Sequence, residues 1–254
     1  MAPPVTAALE TTGLVKRFGG LTATDDVSFR LERGARHALI GPNGAGKTTF
    51  VNLLTGVLAP TDGRILLGCR DVTSASPDAR VRAGMARTFQ INQLFGTMTP
   101  LEMVALVVSE RLGLGAAAFR ILDANDRLIA ETAEVLRQFR LHDVMDTRIA
   151  TLPYGKQRQI EIAAAFAAKP SVLLLDEPAA GVPEAERREL LATVAALPAD
   201  VSVLLIEHDM DLVFRFATRI TVLVNGRILA EGEPSAVARD AAVREAYLGE
   251  AQHG

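Results

Sequence analysis

Apolar residues along this chain change their spacing from one stretch to the next, and each spacing marks a different kind of element. Leu9 to Val15 and Val27-Ser28-Phe29-Arg30-Leu31 alternate apolar with polar positions, as half-exposed strands do, the second run closing at the turn Glu32-Arg33-Gly34. His37-Ala38-Leu39-Ile40 predicts a buried strand, and Thr49-Phe50-Val51-Asn52-Leu53-Leu54 the start of a helix. A Gly/Pro turn (Ala59 to Gly63) precedes a strand over Arg64 to Leu67, then a helix over Pro77 to Met85 and an extended stretch from Ala86 to Gln90.

From Leu101 to Val144 the period becomes helical, with Leu101, Val104, Ala105 and Val108 on one stripe and Ile129, Ala133, Leu136 and Phe139 on another. This all-α block interrupts the alternating α/β pattern, and Gly113-Leu114-Gly115-Ala116 is its flexible joint. A helix over Gly155 to Ala168 runs into Lys169-Pro170. Val172 to Leu175 and Val201 to Ile206 are too continuously apolar to be half-exposed, so they predict central strands of a mostly parallel sheet covered on both faces. Between them Glu184 to Leu197 predicts a helix opened by Pro183 in its first turn. Ile220 to Val224, Asn225-Gly226 and Arg227 to Ala230 predict a hairpin.

Composition narrows the class. The 254 residues allow one large domain or two small ones, and a net charge of −3 with no basic stripe excludes a nucleic-acid platform. Cys69 is the single cysteine, so neither a disulfide framework nor a cysteine metal cluster is expected. Met1-Ala2-Pro3-Pro4-Val5 has neither the basic start nor the apolar core of a secretion signal. The longest apolar stretch, Ile162 to Leu175, is broken by Lys169-Pro170 and is not a membrane span.

The chemistry begins at Gly41-Pro42-Asn43-Gly44-Ala45-Gly46-Lys47-Thr48, which has the G-x-x-x-x-G-K-[ST] spacing of a phosphate-binding loop. Glycines let successive backbone N–H groups turn toward phosphate oxygens, Lys47 reaches the outer phosphates, and the Thr48 hydroxyl ligates Mg²⁺, with Thr49 beside it. The predicted strand before the loop and helix after it aim a helix N-terminus at the anion. Val172 to Leu175 leads into Asp176-Glu177, where Asp176 suits a Mg²⁺ ligand and Glu177 a general base for the attacking water. Val201 to Ile206 leads into Glu207-His208-Asp209, placing His208 at the strand end where ligands collect. His37, His142 and His253 read as structural.

In this order the motifs make the chain resemble the ATP-binding subunit of an ABC transporter, nearly end to end. The resemblance implies a P-loop NTPase of the RecA-like type: a mostly parallel sheet with an N-terminal antiparallel β subdomain and a helical subdomain inserted at about 91–160, in one ATP-binding domain spanning 8–250. It implies that Phe18 stacks on adenine. Gln90, in Arg87-Thr88-Phe89-Gln90, occupies the Q-loop position, a Mg²⁺ or water ligand that senses the membrane partner. Thr151-Leu152-Pro153-Tyr154-Gly155-Lys156-Gln157-Arg158 fills the signature slot, so Tyr154 and Gly155 would meet the ATP of a second subunit. Asp176, Glu177 and His208 match the Walker B aspartate, the catalytic glutamate and the switch histidine.

Within that family, Phe18-Gly19-Gly20-Leu21, Ala86 to Gln90 with Leu94-Phe95, Asp176 to Gly181, and Ala246-Tyr247-Leu248-Gly249-Glu250 are similar to the branched-chain amino-acid importer ATPases, the last also to the lipopolysaccharide-export ATPase. The implied machine is a homo- or heterodimer of ATPase subunits binding ATP and Mg²⁺ under membrane permeases, at the cytoplasmic face of the inner membrane, fed by a periplasmic binding protein. A lipid or lipopolysaccharide exporter and a non-transport ABC ATPase are the alternatives. Two positions depart from the family pattern. Pro153 stands where a serine usually offers its hydroxyl, which leaves the Gly155 amide and the helix N-terminus to make that contact. Pro183 stands at the usual D-loop aspartate.

Overall fold

The computed structural model describes residues 7–88, 94–115 and 125–248. The chain forms two compact units, one of Met1–Met85, Ser171–Leu174 and Pro198–Gly254, the other of Ala86–Pro170 and Leu175–Leu197. Ten strands are described: β1 (Ala7–Phe18), β2 (Leu21–Glu32), β3 (Arg36–Ile40), β4 (Asp62–Leu67), β5 (Arg70–Asp71), β6 (Met85–Arg87), β7 (Val172–Asp176), β8 (Ser202–Ile206), β9 (Arg219–Val224) and β10 (Arg227–Gly232). They build a four-stranded sheet in the order β2-β1-β4-β5 and a six-stranded sheet in the order β10-β9-β3-β8-β7-β6. The first is antiparallel. In the second, β3 runs parallel to both β8 and β9, and the last hairpin, β9–β10, is antiparallel.

In the first unit, helix α1 (Lys47–Thr55) buries Phe50, Val51, Leu53 and Leu54 completely, against Leu39, Leu174, Leu204 and Phe29 of the same core. The Phe29 and Phe50 rings meet edge to face at 5.7 Å. Each such side chain contributes roughly 1.5–3 kcal/mol through burial, so α1 is fixed by its apolar face more than by helix propensity. Its C-terminal carbonyls need donors, and Arg80 on α2 (Pro77–Arg82) provides them. The guanidinium is 1% exposed and donates to the Leu53 and Leu54 carbonyls at 2.7 and 2.6 Å, and to those of Ala75 and Thr73. A cation at that end also complements the helix dipole.

The helix expected over Pro77 to Met85 is shorter. Gly84 takes φ +103 and closes it with its N–H on the Val81 carbonyl, and Met85 already belongs to β6. A glycine before the last apolar residue was the signal for the stop. Ala86 and Arg87 are extended as expected, while Phe89 and Gln90 lie outside the described residues.

The second unit holds α3 (Pro100–Arg111), α4 (Asp126–Gln138), α5 (Tyr154–Ala167) and α6 (Glu184–Ala195). A capping box at Thr99 and Glu102 starts α3, and the Asn125 side chain caps α4. The stripe expected on α4 needs correcting. Leu128, Thr132, Val135 and Phe139 are buried together with Leu136, whereas Ile129 is 44% exposed and Ala133 is also exposed. The helix carries two adjacent apolar stripes, and 3/4 spacing cannot choose between them. The second stripe instead lines a cavity of about 830 Å³ with Leu101, Leu136 and Met145, edged by Arg137 and His142. On α6, Pro183 is the N-cap rather than a first-turn residue, and the helix ends at Ala195. Gly113 and Gly115 both have positive φ, and Ala116 lies outside the described residues. In the first unit, α7 (Met210–Phe216), α8 (Pro234–Val237) and α9 (Ala241–Leu248) complete the described chain.

Candidate functional site

The loop from Gly41 to Gly46 joins the end of β3, where Ala38, Leu39 and Ile40 are fully buried, to the N-terminus of α1. Two of its glycines are required by what lies behind them. At Gly41 a Cβ would sit 2.1 Å from the Leu223 carbonyl oxygen, and at Gly46, with φ +98, it would sit 2.4 Å from that of Ala23. The β9–β10 turn, Asn225-Gly226, locks the loop further: the Gly226 N–H donates to the Ala45 carbonyl at 2.9 Å, and the Asp25 N–H donates to the Gly226 carbonyl at 2.8 Å. Arg227 holds the Asp25 carboxylate at 2.5 Å. The loop therefore rests on β2 and on the last hairpin.

Pro42 and Lys47 are half-buried, Asn43, Gly44 and Thr48 are exposed, and Thr49 is half-buried beside them. Lys47 donates through Nζ to the carbonyls of Gly41 and Pro42, the latter at 2.9 Å, which holds the ammonium at the loop. No acidic residue occupies the first turn of α1, so nothing within that turn offsets its positive dipole end. A concave loop, a lysine and a helix N-terminus together bind a polyphosphate.

Leu39 lies opposite Ile206 on the parallel neighbour β8, so the loop and Glu207-His208 leave the sheet at the same end. Glu207 is buried and its carboxylate accepts from the His208 N–H, leaving the His208 ring 67% exposed; Asp209 then caps α7. Phe18 ends β1 with its ring 46% exposed and the Lys16 ammonium 5.1 Å from its centroid. An exposed aromatic face of this kind suits stacking on a base. His37 is structural as expected: it is fully buried, and its Nε2 lies 2.8 Å from the Thr221 hydroxyl. His142 edges the helical cavity instead. His253 lies outside the described residues.

In the second unit, Asp176 ends β7 with its carboxylate one-tenth exposed and paired to Arg87 at 2.7 Å. Glu177 follows with φ +47, a left-handed conformation uncommon for a non-glycine residue, and its carbonyl closes a turn onto the Ala180 N–H. The start of α5 has Pro153 as N-cap with no side-chain cap, so its first amides depend on other acceptors. Tyr154 packs its ring on Gly181, 3.0 Å from where a Cβ would be, and under the Arg158 guanidinium; Arg158 is itself buried and paired to Glu161 at 2.8 Å. Gly155 is buried under the Glu186 carboxylate, one oxygen of which would fall 1.8 Å from any Cβ there. Gln90 lies outside the described residues. Sequence reasoning assigned no role to Arg87 or Glu186; a charge inside an extended apolar stretch was the available signal for Arg87, and Glu186 had none.

The oxygen donors proposed for Mg²⁺ fit that ion's chemistry, a hydroxyl at Thr48 and a carboxylate at Asp176. Among the described residues no group of three or more His, Cys, Asp or Glu is placed to hold a metal.

Strand, glycine loop, lysine and helix N-terminus in an α/β sheet define a P-loop nucleotide-binding protein. The family model for ABC transporters matches residues 24–180, and the model for the branched-chain amino acid ATP-binding cassette transporter matches residues 227–253. The chain belongs to the ABC transporter ATP-binding family and is the ATP-hydrolysing subunit type of that family. It is 39% identical, over 96% of its length and 98% of the relative's, to the high-affinity branched-chain amino acid transport ATP-binding protein BraF of Pseudomonas aeruginosa. The LivG protein of Salmonella typhimurium is also 39% identical over 96% of this chain and 98% of its own. A crystal structure of the ADP conformation of an ABC transporter cassette matches with a TM-score of 0.82 at 31% identity, covering 96% of this chain and 99% of that one.

Proposed function

We propose that this chain drives import of branched-chain or other amino acids by hydrolysing Mg²⁺-ATP, working as a homo- or heterodimer of ATPase subunits at the cytoplasmic face of the inner membrane. The observation that carries the ATPase reading is the loop wedged between β3 and α1, whose Gly41 and Gly46 admit no side chain and whose lysine is held to the loop carbonyls. The amino-acid reading is supported by the C-terminal family match and by the relatives' names. Lys47 and the loop amides hold the phosphates, Phe18 stacks on the base, and Thr48, Asp176 and Gln90 would hold Mg²⁺. Mg²⁺, when bound, neutralises phosphate charge. Glu177 takes the proton of the attacking water, His208 contacts the γ-phosphate, and Tyr154 and Gly155 meet the ATP of the second subunit. The left-handed backbone at Glu177 is a strain of the sort that persists at working sites.

Among the described residues no helix is long and apolar enough to cross a membrane, so coupling needs membrane permeases, which receive solute from a periplasmic binding protein. The apolar stripe of exposed Ile129, Ala133 and Met145 with half-buried Leu101 supports a permease contact on the helical unit. The test is Glu177→Gln, which keeps shape and hydrogen bonding but cannot accept the water's proton. Hydrolysis should fall about 10²–10⁴-fold with ATP binding retained, and amino-acid uptake by vesicles carrying the reconstituted transporter should stop. Near-normal turnover would remove Glu177 as the base, and uptake of no amino acid by the unaltered complex would overturn the solute class.

A further inference from the structure

The pairing of Asp176 with Arg87 is built into the sheet. The Gly84 carbonyl accepts from both the Ser171 and Val172 N–H groups, at 2.8 and 3.0 Å, which fixes the start of β6 beside the start of β7. Three residues along β6 and at the end of β7, the Arg87 guanidinium meets the Asp176 carboxylate at 2.7 Å, with the two side chains 12% and 10% exposed. A carboxylate this buried requires a cationic partner. In the proposed function its partner during catalysis is Mg²⁺, yet the chain already supplies a cation of its own.

We propose that Arg87 is a resident cation on the metal-ligating carboxylate, a positioning residue that keeps Asp176 in place and denies it to free divalent ions. The inference rests on the reading of Asp176 as a Mg²⁺ ligand. Arginine and aspartate together carry no net charge, so a lone divalent cation finds no net negative charge at this pair and is repelled by the guanidinium. A metal–nucleotide complex is a net anion and meets no such barrier. Mg²⁺ therefore enters with ATP rather than ahead of it, and the subunit without nucleotide does not hold metal. Lysine at position 87 preserves the charge, whereas methionine or glutamine removes it; glutamine also keeps a hydrogen-bond donor for Asp176, which protects the fold.

The probe is Mn²⁺, titrated into the full chain without nucleotide and followed by electron paramagnetic resonance, with circular dichroism to confirm folding. Arg87→Met and Arg87→Gln should each bind Mn²⁺ at least about tenfold more tightly than the unaltered chain. Arg87→Lys should stay at the unaltered level, and adding Asp176→Asn to Arg87→Gln should abolish the gain. Equal Mn²⁺ affinity in folded Arg87→Gln and the unaltered chain would overturn the proposal, as would a gain that survives Asp176→Asn. The underlying ligand assignment fails separately: Asp176→Asn alone would then leave the Mg²⁺ dependence of ATP binding unchanged.

Discussion

At Gly46 two constraints fall on one residue. Its φ of +98 strains any L side chain, and a methyl group would lie 2.4 Å from the Ala23 carbonyl oxygen. Gly44, with φ +75 and nothing within 4 Å, bears only the first. Backbone strain of about 1–3 kcal/mol corresponds to roughly five- to 150-fold in affinity if it is relieved by distorting the loop. Gly46→Ala should therefore weaken ATP binding by at least that much, and Gly44→Ala by less. A fluorescent-nucleotide titration that ranks them the other way would show that the contact with Ala23 is not what shapes the loop. These glycines were legible because their spacing is the motif. Arg80 was not: it lies in a stretch that reads as an ordinary polar helix, and its inward turn is dictated by helix-end carbonyls 26 and 27 residues earlier, which no local pattern announces.

At the scale of elements, β3 is tied to β9 and β10 through a polar relay that starts at buried His37 and Thr221 and ends at the surface. The His37 imidazole meets the Thr221 hydroxyl, which donates to Glu231, and Glu231 is in turn held by Arg219 at 2.6 Å. Burial pushes His37 from its usual 6.5 down to about 4, against the attraction of Glu231 and with the help of Arg219. Between those values the unfolded chain binds the proton and the folded chain does not, so stability is full above pH 6.5 and is lost as pH falls toward 4. The loss attributable to this group between pH 7 and pH 5 is about 2 kcal/mol. Urea unfolding at the two pH values should show it, and His37→Gln should flatten the difference; an unchanged slope would acquit His37.

The elements themselves were largely readable. The continuous apolar runs at β7 and β8 and the Asn225-Gly226 turn predicted what is found, because burial on both faces and a left-handed turn each leave a strong local mark. The face of α4 was misread because the choice between two apolar stripes is made by α3, outside the window that the periodicity samples. Pro183 was placed one position too far into α6, since proline suits both the cap and the first turn.

For the whole molecule, the telling fact is how far apart in the chain the makers of one loop are. Residues 41–46 are shaped by Ala23 before them and by Leu223 and Gly226 long after them. A chain that stops at Ala217, before β9, keeps every residue of the phosphate-binding motif and lacks the hairpin behind it. It should fail to retain ATP on a filter that retains the full chain, and retention by the shortened chain would show the loop to be self-sufficient. Domains commonly begin folding while synthesis is still under way, and here the emerging polypeptide carries its nucleotide motif for most of its time on the ribosome without the backing that shapes it. On that prediction, competence for ATP comes with the last strands, and a prematurely ended translation product should leave the cell's nucleotide pool alone.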